Sequence, residues 1–172
     1  MTRVAFSALI AAVALERLLE LAISRRNAAW ARQRGGVESG RSHFPLMALL
    51  HAGLLVGAVA EVWLLDRPFL PPLGLSMLAV AMACQVLRYW CITSLGHQWN
   101  TRVIVVPGLA RVTDVGPYRW LRHPNYVAVV IEGIALPMVH TAWLTASVFT
   151  VLNAALLTVR LRVEEAALDA AR

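Results

Sequence analysis

From Phe44 to Leu65 the chain carries a single charged side chain, Glu61, and an apolar run of that length is long enough, as a helix, to cross a hydrocarbon layer. Runs of the same kind recur. Val4 to Ser24 would make about 31 Å of helix; Phe69 to Leu95 is interrupted early by Pro71-Pro72; Ala142 to Arg160 is a further candidate. Asn125 to Val139 would reach only about 22 Å, too short to span comfortably, and Pro137 bends or ends it, so it must kink, tilt or form a hairpin with the run that follows. With 172 residues, 59% hydrophobic and 15% charged, the chain is too apolar for a soluble domain and has room for about five spans. An all-α integral membrane fold is expected, its last two helices forming a C-terminal hairpin.

Charge fixes the expected orientation. All sixteen basic residues are Arg, and they gather in the 25–43 segment, the 96–123 segment and the C-terminus, all cytoplasmic by the positive-inside rule. The Asp66-Arg67-Pro68 turn then faces outward, as does the N-terminus. The apolar N-terminal stretch has no convincing cleavage site and reads as the first span. Its Glu16, Arg17 and Glu20 should face protein or the interface, with Arg17 pairing to Glu20 at i, i+3. His51, Glu61 and Arg88 are further polar groups inside spans; a lone His51 reads more readily as a packed core residue than as a ligand. Gly35-Gly36 reads as a flexible break. Thr101 to Val106 is β-branched enough for an extended arm, but a single strand makes no sheet, and none is expected. Cys84 and Cys91 lie about 10 Å apart along one helix, too far for a disulfide.

Polar and aromatic residues crowd together once, between Gly116 and Tyr126. Gly116-Pro117 makes a turn, and Pro124 suits the first position of a helix, where its missing N–H costs nothing. Around that helix start stand Arg119, Arg122 and His123, with Tyr118, Trp120 and Tyr126 as aromatic walls. Free backbone N–H groups and two guanidinium groups make a receptor for a carboxylate or phosphate. The same cluster is also what a membrane-interface anchor looks like. Glu132, two turns into that helix, is either salt-bridged to Arg88 or Arg160 or faces a substrate.

Arg122-His123-Pro124-Asn125-Tyr126, preceded by Gly116-Pro117-Tyr118 and followed by Arg162-Val163-Glu164-Glu165, resembles the isoprenylcysteine carboxyl methyltransferase family of integral membrane enzymes. The resemblance covers Leu95 to Leu168, and Trp99-Asn100-Thr101-Arg102 looks most like its bacterial branch, some members of which methylate long-chain pyrones or resorcinols. It implies S-adenosylmethionine as cofactor, held by Tyr118, Arg122, His123, Pro124, Tyr126, Glu164 and Glu165, with His123, Glu132 and Arg160 as catalytic candidates. It also implies O-methylation of a lipophilic carboxylate, enol or phenol at a bacterial inner membrane, the cofactor entering from the cytosol. The short fourth helix with its Pro137 bend, beside the fifth, should leave a lateral opening for the lipid near Tyr126, Val130 and Glu132. The chain then reads as one domain over 1–172, with N-terminal helices over 1–95 and the cofactor-binding and catalytic part over 96–172.

No Gly-rich strand-to-helix loop is present, so the cofactor would lie among helices. The five His residues are scattered without metal-ligand spacing, and no metal is expected. No basic stripe suits a nucleic acid; the expected partners are a lipophilic small molecule and membrane lipid, with the oligomeric state open. An NADPH-dependent membrane reductase of the sterol-reductase type and a small non-enzymatic transporter stay as alternatives.

Overall fold

The computed structural model describes residues 1–41, 43–109 and 114–170, with the side chain of His43 left aside; Arg111, one of the arginines of the 96–123 segment, lies outside them. Five α-helices make up the body: α1 (Arg3–Arg32), α2 (His43–Leu64), α3 (Pro71–Leu95), α4 (Pro124–Met138) and α5 (Trp143–Ala170). Three of them, over Phe44–Leu64, Pro71–Gln98 and Trp143–Ala170, are long and apolar enough to cross a membrane. The other two depart from that standard for different reasons, since α1 is long but charged and α4 has only 15 residues.

α1 runs two turns further than the expected span. The Arg25-to-Arg32 stretch is rich in Arg and Ala, both strong helix formers, with no Gly or Pro before Gly35. Its inner face is also anchored: Asn27 Nδ2 donates to the carbonyls of Gly96 at 3.1 Å and Trp99 at 2.7 Å, and Ala28 and Ala31 are buried. Gly35, at φ 77°, then reverses the chain in a conformation that other residues adopt at a cost. In α3 the two prolines do not interrupt the helix; they occupy its first turn, where no intrahelical N–H bond is lost.

A two-stranded antiparallel ribbon corrects the expectation of no sheet. β1 (Val37–Ser39) pairs with β2 (Val103–Val105), Glu38 opposite Ile104. The partner that the sequence hides is β1, in the first Arg-rich loop, where three residues give no readable alternation. A ribbon this short needs a clasp. Glu38 supplies it, its buried carboxylate meeting Arg102 Nη1 at 2.8 Å, Arg32 Nη2 at 3.3 Å and Arg41 Nε at 3.6 Å. Burial alone would raise its pKa, but the hydrogen bonds from Arg102 and Arg32 and the nearby positive charges outweigh burial and hold it below the ordinary carboxylate value.

Packing inside and grease outside complete the picture. Phe6, Ile10 and Val13 of α1, Ala58 and Val62 of α2, and Leu136, Val139 and Ala142 around the α4–α5 turn form one buried cluster. Leu49, Val56, Val86 and Val151 are instead 66% to 70% exposed, as lipid-facing side chains would be. The α4–α5 turn is itself buried, which is how irregular backbone is tolerated at membrane depth. Thr141 Oγ1 donates to the Pro68 carbonyl at 2.7 Å. Glu61 of α2 accepts from Leu144 N at 3.1 Å and Thr145 N at 2.7 Å, and pairs with Arg67 at 2.9 Å. It caps α5 from a neighbouring helix. Glu61→Ala is therefore expected to lower stability by about 2–4 kcal/mol, the sum of a lost cap and a stranded guanidinium, with Glu61→Gln losing less; thermal unfolding in detergent reads both.

Candidate functional site

α4 begins where the sequence says it should. Pro124 takes the first helical position, and His123 precedes it in a non-helical conformation, its carbonyl accepting from Tyr126 N at 3.1 Å. This sets the His123 and Tyr126 rings face to face, with centroids 5.4 Å apart and planes within 18°. α5 passes alongside and brings its acidic pair to the same place. Glu164 Oε1 lies 3.7 Å from His123 Nδ1, and Glu165 Oε1 lies 3.9 Å from His123 Nε2 and 3.8 Å from Arg122 Nη2.

Tyr126 is the hub of this group. Its hydroxyl donates to Glu164 Oε2 and accepts from Arg160 Nε at 2.8 Å. Arg160 reaches on to the Thr101 carbonyl at 2.6 Å, which ties the extended 99–106 arm to the helix pair. Ser24 of α1 fastens the other side of the arm: Thr101 N donates to Ser24 Oγ at 3.0 Å, and Ser24 Oγ donates to Asn100 Oδ1 at 2.7 Å. Tyr118 stands behind, and burial, then the neighbouring Cys91 thiol, push its phenol well above the usual value. It is a neutral wall.

These residues open into a cavity of about 520 Å³. Tyr118, Arg122, His123, Asn125, Tyr126, Arg160 and Glu164 line one end. From there it follows α1 from Ala31 down to Ala14, about 25 Å along the helix axis. Leu18 and Leu21 of α1 and Phe44, Met47, Ala48, Ala52 and Leu55 of α2 form its apolar walls. Arg17, Glu20, His51 and Arg88 put polar groups on the wall at that depth.

Of the residues expected in the site, the structure gathers Tyr118, Arg122, His123, Tyr126, Arg160, Glu164 and Glu165, and Pro124 starts the helix that holds them. Glu132 is elsewhere. It is not among the residues lining the cavity, and its partner is neither Arg88 nor Arg160 but Arg17, whose Nη2 lies 3.0 Å away. Arg17 also meets Glu16, Glu20 at 2.8 Å and Gln85 at 2.6 Å, while Arg88 pairs with Glu20. The charges of α1 thus face protein, as expected, and join α1 to α3 and α4. The expected lateral opening also moves: Val129, not Val130, lines the cavity, and the apolar depth lies between α1 and α2. Sequence reasoning left out Asn100, Thr101, Asn125 and His51 as wall residues; the arm and Asn125 were within reach, being part of the quoted motifs.

Residues 77–170, more than half of the chain, match the isoprenylcysteine carboxyl methyltransferase (ICMT) family. The chain belongs to that family. The match begins inside α3, upstream of the Leu95 boundary that motifs alone suggested. ICMT-family proteins are integral membrane methyltransferases, in keeping with the apolar helices here. The chain is similar to uncharacterized protein YpbQ of Bacillus subtilis (strain 168), 39% identical over 165 residues that cover 95% of this chain and 96% of the relative. It is also similar to an uncharacterized protein of Haemophilus influenzae, 26% identical, with 89% of this chain and 88% of the relative covered. No solved structure matches the chain.

Proposed function

We propose that this ICMT-family protein methylates an oxygen of a lipophilic acceptor, a carboxylate, enol or phenol with a long alkyl or prenyl tail, using S-adenosylmethionine from the cytoplasmic side of a bacterial inner membrane. The observation that carries this reading is the single cavity with two chemistries, charged and aromatic at the α4 end, apolar between α1 and α2. Its volume of about 520 Å³ suits a small-molecule site, for which about 300–1,000 Å³ is usual.

The residues present fit the cofactor. Asn125 lines the cavity with its Oδ1 buried and without a hydrogen-bond partner among the described residues, so an acceptor waits there for an ammonium or hydroxyl. Arg122 and the N–H groups at the start of α4 suit a carboxylate, Glu164 and Glu165 suit an ammonium or ribose, and the Tyr126 and His123 faces tolerate a cation. Bound there, S-adenosylmethionine would supply an electrophilic methyl group. The protein's own work is positioning and exclusion of water. Arg160 and Glu164 hold the Tyr126 hydroxyl from both sides, His123 rests between the two glutamates, and the ribbon covers the cavity with Val103 and Val105. Leu18, Leu21, Met47 and Leu55 would receive the acceptor's tail. Glu132, occupied by Arg17, has a supporting part.

Calorimetry tests the reading. The parent chain should bind S-adenosylmethionine and not NADPH, and Arg122→Ala and Glu164→Ala should each weaken binding by about 1–3 kcal/mol, the scale of a lost charge-assisted hydrogen bond. Parent-like binding by both variants would leave the cluster as an interface anchor only.

A further inference from the structure

The cavity-facing stripe of α2 is Phe44, Met47, Ala48, His51, Ala52 and Leu55, a helical spacing in which one residue alone is polar. His51 is held in a defined state. Its Nδ1 lies 2.8 Å from the Met47 carbonyl; a carbonyl only accepts, so Nδ1 carries the proton, and in the neutral ring Nε2 is left as a proton acceptor. The ring meets Phe149 of α5 edge-on, with centroids 5.4 Å apart. Nε2 has no hydrogen-bond partner among the described residues.

The carboxylates of the cavity wall are committed: Glu20 receives Arg88 on both oxygens and Arg17 on one, and Glu164 is taken by Tyr126. Of the other imidazoles on the wall, His123 sits against Glu164 and Glu165 at 3.7 and 3.9 Å, and His97 is exposed and stacks on Trp30. The charged groups sharing the cavity with His51 are Arg17 and Glu20 from α1, Arg88 from α3, Arg102 and Arg122 from the segment between α3 and α4, and Arg160 and Glu164 from α5. Arg17, Arg88 and Arg160 would favour a negative oxygen nearby without themselves taking its proton.

We propose that His51 Nε2 is the general base that accepts the hydroxyl proton of the methyl acceptor. This rests on the methyltransferase reading, with a hydroxyl-bearing acceptor, and adds a catalytic residue to its site. In the step, the acceptor's O–H bond breaks, its proton forms an N–H bond at Nε2, and the oxygen keeps the electron pair with which it would bond to the methyl carbon as the methyl–sulfur bond breaks, the sulfur leaving with the pair of that broken bond as a neutral thioether. The imidazolium then returns the proton to water through the α4 end of the cavity. A carboxylate acceptor, already ionised near neutral pH, would give His51 no task.

The test compares the parent with His51→Gln and His51→Phe in nanodiscs. With pentadecylresorcinol as acceptor, both variants should lose roughly 100-fold or more in kcat, the range of a missing general base, while calorimetric binding of S-adenosylmethionine stays at the parent value. A second readout needs no cofactor: an alkyl-substituted nitrophenol, whose ionisation shows in its absorbance, should bind the parent as phenolate and His51→Gln as phenol at the same pH. Palmitate methylated as well as the resorcinol, kcat within threefold of the parent in the variants, or an unchanged nitrophenol spectrum would each overturn the proposal. A parent chain that binds no S-adenosylmethionine would instead overturn the methyltransferase reading beneath it.

Discussion

Arg88→Met is expected to lower stability by up to about 3–5 kcal/mol, because Glu20, a buried carboxylate, loses the bidentate one of its two cationic partners. Arg88 is 6% exposed and Glu20 4%, and the guanidinium grips the carboxylate through two nitrogens, Nε at 3.1 Å and Nη2 at 2.5 Å. Arg17 stays on Glu20 at 2.8 Å, but it is shared with Glu16, Glu132 and Gln85 and has little left with which to compensate. Thermal unfolding in detergent should show the loss, and the double variant with Glu20→Leu should recover part of it, since no undercompensated carboxylate then remains. A single variant as stable as the parent would mean that water reaches the pair.

Tyr126→Phe should reduce methyl transfer by about 10²-fold, the scale of a small misplacement of the groups that position the reactants, while the ring and its stacking on His123 remain. The hydroxyl is where α4, α5 and the extended arm are joined, through Glu164, Arg160 and, beyond Arg160, the Thr101 carbonyl. If the three act as one unit, adding Arg160→Ala to Tyr126→Phe should cost little more than either change alone. Additive losses measured in a full cycle of variants would show that Arg160 serves the arm and Tyr126 the cavity independently.

Local chemistry was legible and long-range pairing was not. Pro124 announces a helix start from its own geometry, and Arg122, His123 and the Glu164-Glu165 pair share one end of the bundle because the positive-inside rule and helix length leave them nowhere else. The partner of Glu132 is a different matter. Three arginines stand at plausible depths, and the choice of Arg17 depends on how α1 is rotated and how far it slides along α4, neither of which a nearly uniform apolar surface records. His51 shows the same limit: an imidazole in an apolar run looks alike whether it faces packing or a cavity, and only the curvature of α1 and α2 around empty space decides. The ribbon was missed because each strand is three residues long, and a β-branched stretch such as Val103–Val105 says nothing of where its partner lies.

The charges of α1 bear on how the protein is made. Arg17 pairs with Glu16 and Glu20 within α1, but the group also takes partners on α3 and α4, through Gln85, Arg88 and Glu132, so α1, made before them, holds an excess of carboxylate it cannot satisfy by itself. α4 has the converse difficulty, being too short to be recognised as a crossing segment before α5 follows it. Neither helix is a self-sufficient insertion unit. α1 must wait at the edge of the insertion machinery, or lie shallow in the membrane, until Arg88 has emerged, and α4 must enter together with α5 as a pair. Assembly order is thereby written into the same contacts that hold the finished bundle, and a chain stopped after α2 would leave Glu20 without Arg88.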